Sequence, residues 1–258
     1  YNSEYTFPSV KYTAQQRMSA GVGIMNYAYE LARKDMFYSS KAAKQHTHFV
    51  AERHMYSLIK ASLLISKERG NAPWIHKTKW VDGWTPLKTY NRNVDTIADF
   101  ALRFDWEALE AEIIANGGIA HSALGAHMPG ESSSQNLNAT NSWYPIRQDN
   151  ILKTDGGKVN IFIAPEWDTL QYNYELSWDI PTNDMVDHYA IIQKFTDQAT
   201  SADFWHDFTK VGQELLTDLY YKNKMGLKTQ YYTNSRTKDS DKEDIGNSAG
   251  CASGACSL

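Results

Sequence analysis

The chain has 258 residues, 42% of them hydrophobic and 22% charged, enough for one large domain or two small ones around a sizeable core. A net charge of −4 leaves no basic stripe for nucleic acid, and no apolar run approaches the roughly 20 residues of a membrane span. With neither a secretory signal nor a polybasic segment, the partners expected exclude nucleic acid and membrane, and the location expected is cytoplasmic.

Tyr1 stands where an initiator methionine would, as in a processed chain or a piece of a longer one. Apolar spacing predicts helix over 12–34, weakened by Gly21 and Gly23, and a long helix over 41–68 that Gly70 and Pro73 end. Residues 71–102 read as an irregular excursion. Asp105 caps a short helix that stops at Gly117-Gly118. A strand over 119–128 feeds the turn 129–134. Asp155-Gly156 marks a hairpin between 151–153 and 158–163. Helices are expected at 165–178, 184–198 and 208–224, and a strand at 227–232. Beyond Thr233 apolar residues vanish, which predicts a flexible tail over 233–258 attached to an ordered unit over 1–232. Alternating helices and strands point to an α/β fold with mostly parallel strands.

Three segments carry candidate chemistry. The only cysteines, Cys251 and Cys256, are separated by four small residues close to the terminus. Such a spacing permits a disulfide, and a flexible arm permits exchange with another one. A chance pair of surface thiols is the competing reading, and too few ligands lie nearby for zinc, so no metal is expected. The adjacent Tyr231 and Tyr232 point to opposite faces in an ordinary strand, where core packing explains them. A redox relay is the alternative, and stacking of the two rings would require a local break in extended geometry. The turn Pro129–Ser134 joins a strand, a glycine and serines at a helix start, which directs amides and hydroxyls at an anion or simply caps the helix. Glu131 suits a phosphate site only with its carboxylate turned away and its amide donating. His46, His48 and His54, the lone Gly21-Val22-Gly23, and the acidic set Glu107, Glu110 and Glu112 carry no catalytic expectation.

Taken together, these segments resemble one family. The run Met128-Pro129-Gly130-Glu131-Ser132-Ser133-Ser134-Gln135-Asn136-Leu137-Asn138-Ala139-Thr140-Asn141 is similar to the phosphate-binding segment of the ribonucleotide reductase large subunit. Leu227–Arg236 resembles that family's radical-transfer strand, and the terminal Cys-x4-Cys resembles its shuttle dithiol. Gly21–Ala32 and Ile191–Gln198 extend the likeness over essentially the whole chain.

The resemblance implies the C-terminal part of a ten-stranded α/β barrel, a half barrel with surrounding helices and a disordered tail. It implies that Gly130, Glu131, Ser132 and Ser133 hold the phosphates of a nucleoside diphosphate, that Tyr231 and Tyr232 relay a radical, and that Cys251 and Cys256 exchange with thioredoxin or glutaredoxin. It places the helix at 208–224 beside the groove for the small subunit's tail. Gly130 replaces the more usual Ser and Ser132 replaces Thr, while Ala202-Asp203-Phe204-Trp205 departs from an Asn-containing run and receives no role. No cofactor is implied within this chain. A diiron-tyrosyl radical or its equivalent is expected in the small subunit, and nucleotide effectors on the N-terminal part.

The family's active site also needs three cysteines that this chain lacks, since none precedes position 251. The expectation is therefore one chain of a split large subunit, inert without its N-terminal complement. A remnant that only binds the small subunit or thioredoxin is the alternative. A stand-alone dithiol carrier leaves the ordered domain unexplained, and an anaerobic reductase would carry a glycyl-radical segment that is absent.

Overall fold

A computed structural model describes residues 3–155, 158–209 and 214–236. In chain order the helices are α1 (Pro8–Arg17), α2 (Tyr27–Ala32), α3 (Lys41–Arg69), α4 (Trp106–Ala115), α5 (Glu131–Asn136), α6 (Trp167–Leu170), α7 (Thr182–Lys194) and α8 (Glu214–Lys224). The strands are β1 (Asn150–Asp155), β2 (Lys158–Ile163), β3 (Phe204–Asp207) and β4 (Thr233–Arg236).

Four extended segments lie side by side in sequence order and run parallel. Residues 20–22 pair with 122–126 through Ala20 N–H to Ala123 O and Val22 N–H to Leu124 O, both 2.9 Å, with the parallel bridge Val22–Gly125. The second segment joins the third through the parallel bridge His127–Thr200, where Ser201 N–H donates to His127 O at 3.1 Å. The third ends in β3, which pairs in parallel with β4 from Phe204–Thr233 to Asp207–Arg236. Helices α3, α7 and α8 lie in the successive connections, as parallel strands require. The result is a stretch of α/β barrel wall. The hairpin β1–β2 is antiparallel and separate from it.

Helix α3 begins where Ser40 accepts Ala43 N–H at 3.1 Å, a cap worth about 1 kcal/mol. Its inner face, from Ala43 through Val50, Met55, Ile59 and Leu63, packs into one core with α7 and the third segment. Helix α7 is buried on all sides from Met185 to Lys194, so its polar residues need internal partners. Asp187 accepts from Lys44 Nζ at 2.7 Å and from Tyr221 Oη at 2.7 Å, while Lys194 Nζ meets Asp95 at 2.8 Å. The buried Glu52 gathers Arg103 N–H, Phe104 N–H and Trp106 Nε1–H between 2.9 and 3.2 Å, which anchors the end of the irregular excursion. That excursion contains four short 3-10 turns between Ile75 and Thr96.

Several expected elements move. The helix predicted over 12–34 splits into α1 and α2, because Gly21–Gly23 runs extended against residues 122–126. A Cβ on Gly23 would stand 2.1 Å from Ala126 O, so the wall needs glycine there. The helix predicted over 165–178 shrinks to α6. Glu166 takes the left-handed conformation (φ +50°), and Tyr174 Oη–H takes Pro165 O, the acceptor a continuous helix would give to a backbone N–H, while Asn173 Nδ2–H ties the segment to Ala32 O of α2. The strand predicted at 227–232 falls on Thr233–Arg236 instead, so wall pairing continues past the point where apolar content collapses. The 184–198 and 208–224 helices occupy Thr182–Lys194 and Glu214–Lys224, with 210–213 and the tail beyond Arg236 outside the described residues.

Candidate functional site

The tyrosine pair lies just before β4, where backbone pairing is already established. Tyr231 N–H donates to Ala202 O at 2.9 Å, and Phe204 N–H donates to Tyr232 O at 3.0 Å. Yet the two rings stand 4.2 Å apart between centroids at an angle of 52°, a separation that alternating side chains of a regular strand do not allow. Tyr231 is 50% and Tyr232 46% exposed, so neither ring packs the core of this chain. The local break that two neighbouring phenols in contact require falls at the pair itself: Tyr231 N–H takes Ala202 O, while Tyr232 N–H turns to a side chain.

Asp203 explains part of this geometry. Its Oδ1 accepts Tyr232 N–H at 3.2 Å, replacing a ladder partner with a side chain, and its own carbonyl accepts Tyr189 Oη–H at 2.9 Å. Burial pushes the Asp203 carboxyl up to about 6. The Tyr232 amide opposes that rise, the nearby Glu131 charge adds to it, and Arg147 opposes it. Glu131 opens α5 in the serine turn, so its charge acts on the same carboxyl that holds the Tyr232 amide. Sequence reasoning assigned Asp203 no role, and its burial and bond to a distant amide are invisible in the sequence.

The serine turn is built around Gly130, which holds φ at +64° with its missing Cβ 3.2 Å from Met25 Sδ. Glu131, Ser132 and Ser133 follow at the surface. Ser134 is fully buried: its N–H closes on Gly130 O at 2.9 Å and its hydroxyl contacts Glu131 O at 2.9 Å and Asn141 Oδ1 at 2.5 Å. One hydroxyl proton serves only one of those acceptors at a time, and the shorter contact favours Asn141. Asn26 then ties the far side of the loop to the wall, accepting Thr140 N–H at 2.9 Å while its own N–H reaches Thr140 O at 2.9 Å. Ser132 and Ser133 are therefore presented outward on a turn that Ser134, Asn141 and Asn26 hold rigid. Those three supports are not legible in the sequence, where serines and asparagines look like loop residues.

Beneath β3 and β4, Lys222 of α8 is buried with its Nζ 3.5 Å from the centroid of the Phe204 ring and 2.9 Å from Gln230 Oε1. Burial pushes this ammonium down to about 8. On the outer side of α8, Leu216, Leu219 and Tyr220 are exposed.

The other candidates disperse. His46 meets Glu30, His48 packs against Phe100 and Phe195, and His54 Nε2 lies 3.3 Å from Val22 O. Among the described residues no group of three or more His, Cys, Asp or Glu converges on a point that could hold a metal. No described helix is long and apolar enough to cross a membrane. Cys251 and Cys256 lie outside the described residues.

A parallel α/β wall that presents a serine turn and an exposed, contacting tyrosine pair defines a barrel-type α/β protein. The chain belongs to the ribonucleotide reductase family: the family model described as "Ribonucleotide reductase, barrel domain" matches residues 1–166 and 163–233. Over 99% of its length it is 38% identical to ribonucleoside-diphosphate reductase 1 subunit alpha of Escherichia coli (strain K12), covering 35% of that protein. It is likewise 38% identical, over 99% of its length, to ribonucleoside-diphosphate reductase subunit alpha of Haemophilus influenzae, covering 34% of it. The phage T4 subunit alpha is 33% identical over 86% of the chain and is covered to 30%. The chain thus spans about a third of the length of these curated relatives and corresponds to a C-terminal part of them.

Proposed function

We propose that this chain supplies the phosphate-holding turn, the radical relay and the shuttle dithiol of a ribonucleoside-diphosphate reductase. The observation that carries the proposal is the exposed, mutually contacting pair Tyr231–Tyr232, whose second amide is held by the Asp203 carboxyl. In this reading the amides of Gly130, Glu131, Ser132 and Ser133 and the two serine hydroxyls hold the diphosphate of a ribonucleoside diphosphate. Tyr231 and Tyr232 each lose and regain an electron and a proton, passing an oxidising equivalent from the small subunit to an active-site cysteine. Two phenols in contact suit such a step, since charge transfer weakens steeply with separation.

The dithiol Cys251–Cys256 re-reduces the active-site disulfide and is itself reduced by thioredoxin or glutaredoxin. Because no cysteine precedes position 251, the chain is competent only with the large-subunit portion that carries the reactive cysteines and, by the same reading, the nucleotide-effector sites. The diiron-tyrosyl radical or its equivalent resides in the small subunit, for which the exposed apolar side of α8 offers a surface beside the relay. A cytoplasmic location accords with thiol chemistry that depends on such reductants.

The relay is tested in the assembled enzyme. Tyr231→Phe and Tyr232→Phe keep ring size but cannot form a phenoxyl radical, so each should abolish deoxynucleotide formation while substrate and small-subunit binding persist. Normal turnover in either variant would refute the relay.

A further inference from the structure

The contact between Tyr231 and Tyr232 needs a device to hold it, because an extended chain separates neighbouring side chains onto opposite faces. Gln230 and Thr233 flank the pair, and Gln230 Nε2–H donates to Thr233 Oγ1. In a regular strand those residues would lie ~10 Å apart at Cα, with their side chains on opposite faces. A side-chain bridge between them therefore exists only where the backbone has curled, and it closes a short loop around the two tyrosines.

The orientation of the Gln230 amide is set from outside this loop. Lys222 Nζ lies 2.9 Å from Gln230 Oε1, and an ammonium can only donate. The carbonyl must face the lysine, which leaves the amide hydrogens for Thr233. Lys222 itself has little freedom: it is buried, and its Nζ sits 3.5 Å from the centre of the Phe204 ring. Phe204 in turn donates its N–H to Tyr232 O at 3.0 Å. The same residue thus supports the lysine and pairs with the second tyrosine.

We infer that Lys222, acting through the Gln230–Thr233 bridge, is a positioning residue that keeps the two phenol rings in contact. Its direct partner is Gln230, through which it acts on the pair. The inference rests on the relay reading for its functional meaning, while the ring geometry it predicts is measurable without it.

The test uses the assembled enzyme with Lys222→Met, Gln230→Leu and the double variant, and two readouts. Turnover should fall roughly tenfold in each single variant, since small misplacements of reacting groups are costly, and the double variant should lose no more than the worse single one. The second readout is the 19F resonance of 3-fluorotyrosine placed at position 231, with Tyr232→Ala as the reference for a missing neighbour ring. Lys222→Met and Gln230→Leu should move that resonance toward the reference. Gln230 is exposed, so its variant keeps the test alive if burial of methionine at 222 prevents folding. An unmoved resonance with unchanged turnover in Gln230→Leu would overturn the inference, as would additive losses in the double variant. A parallel Tyr231→Phe enzyme separates the two ideas: if it turns over normally the relay fails, whereas the resonance still decides the positioning.

Discussion

Asp203 Oδ1 accepts the backbone N–H of Tyr232 at 3.2 Å while Glu131 of the serine turn raises the same carboxyl's pKa. One buried side chain therefore feels both halves of the site. It also makes the site sensitive to pH in a calculable direction.

The carboxyl titrates at about 6 in the folded chain, against an unfolded value near 3.9. A raised acid favours the protonated fold, so this group costs stability above pH 6 and the cost disappears as pH falls toward 4. Asp203→Asn retains an acceptor for Tyr232 N–H without the charge. It should stabilise the protein by roughly 1–3 kcal/mol at pH 8 and by nothing measurable at pH 4. Chemical denaturation at the two pH values checks this, and an equal effect at both would contradict it.

Three buried histidines push in the other direction. Burial lowers His48, His127 and His188 to about 3. His127 Nδ1 accepts Trp143 Nε1–H at 2.9 Å, which fixes the ring proton on Nε2 in the neutral form. A base with a depressed folded pKa contributes stability that is fully present above its unfolded value near 6.5 and lost as pH falls below it. Each histidine should cost about 1.4 kcal/mol per pH unit in that window. His188→Gln should flatten the acid limb of the stability curve between pH 6.5 and 4; an unchanged limb would show that His188 is not buried neutral.

Ser134 offers a test of the turn. Replacing it with Ala leaves Asn141 Oδ1 without its 2.5 Å partner and should cost about 1–3 kcal/mol of stability. In the assembled enzyme the loosened turn should raise the KM for the nucleoside diphosphate more than it lowers kcat. Loss of kcat alone would place Ser134 outside substrate binding.

The tail dithiol is separable from the rest. Cys251→Ser with Cys256→Ser should stop turnover driven by thioredoxin and spare turnover driven by small dithiols that reach the active site directly. Equal loss with both reductants would refute a shuttle.

Much of this was legible in the residues. The long helix over 41–68, the Asp105 cap and the Asp155-Gly156 hairpin follow from local periodicity and turn chemistry, and α3, α4 and β1–β2 occupy those places. Elements set by distant partners were not legible. Gly21–Gly23 leaves a helical pattern because Ala126 lies against it, and Tyr231–Tyr232 leaves a strand pattern because Asp203 and Lys222 hold the neighbouring chain. In the candidate site, Gly130 to Ser133 were readable as a turn entering a helix, whereas their supports Ser134, Asn141 and Asn26 are ordinary loop residues tied in by hydrogen bonds.

The proposed role makes this chain an essential but incomplete part of a ribonucleoside-diphosphate reductase. Cytidine diphosphate reduction should be measured with the chain alone, with small subunit and thioredoxin added, and again after adding the large-subunit portion that carries the active-site cysteines. Deoxycytidine diphosphate should form only in the last mixture. No product in that mixture, with binding of the components intact, would contradict that role.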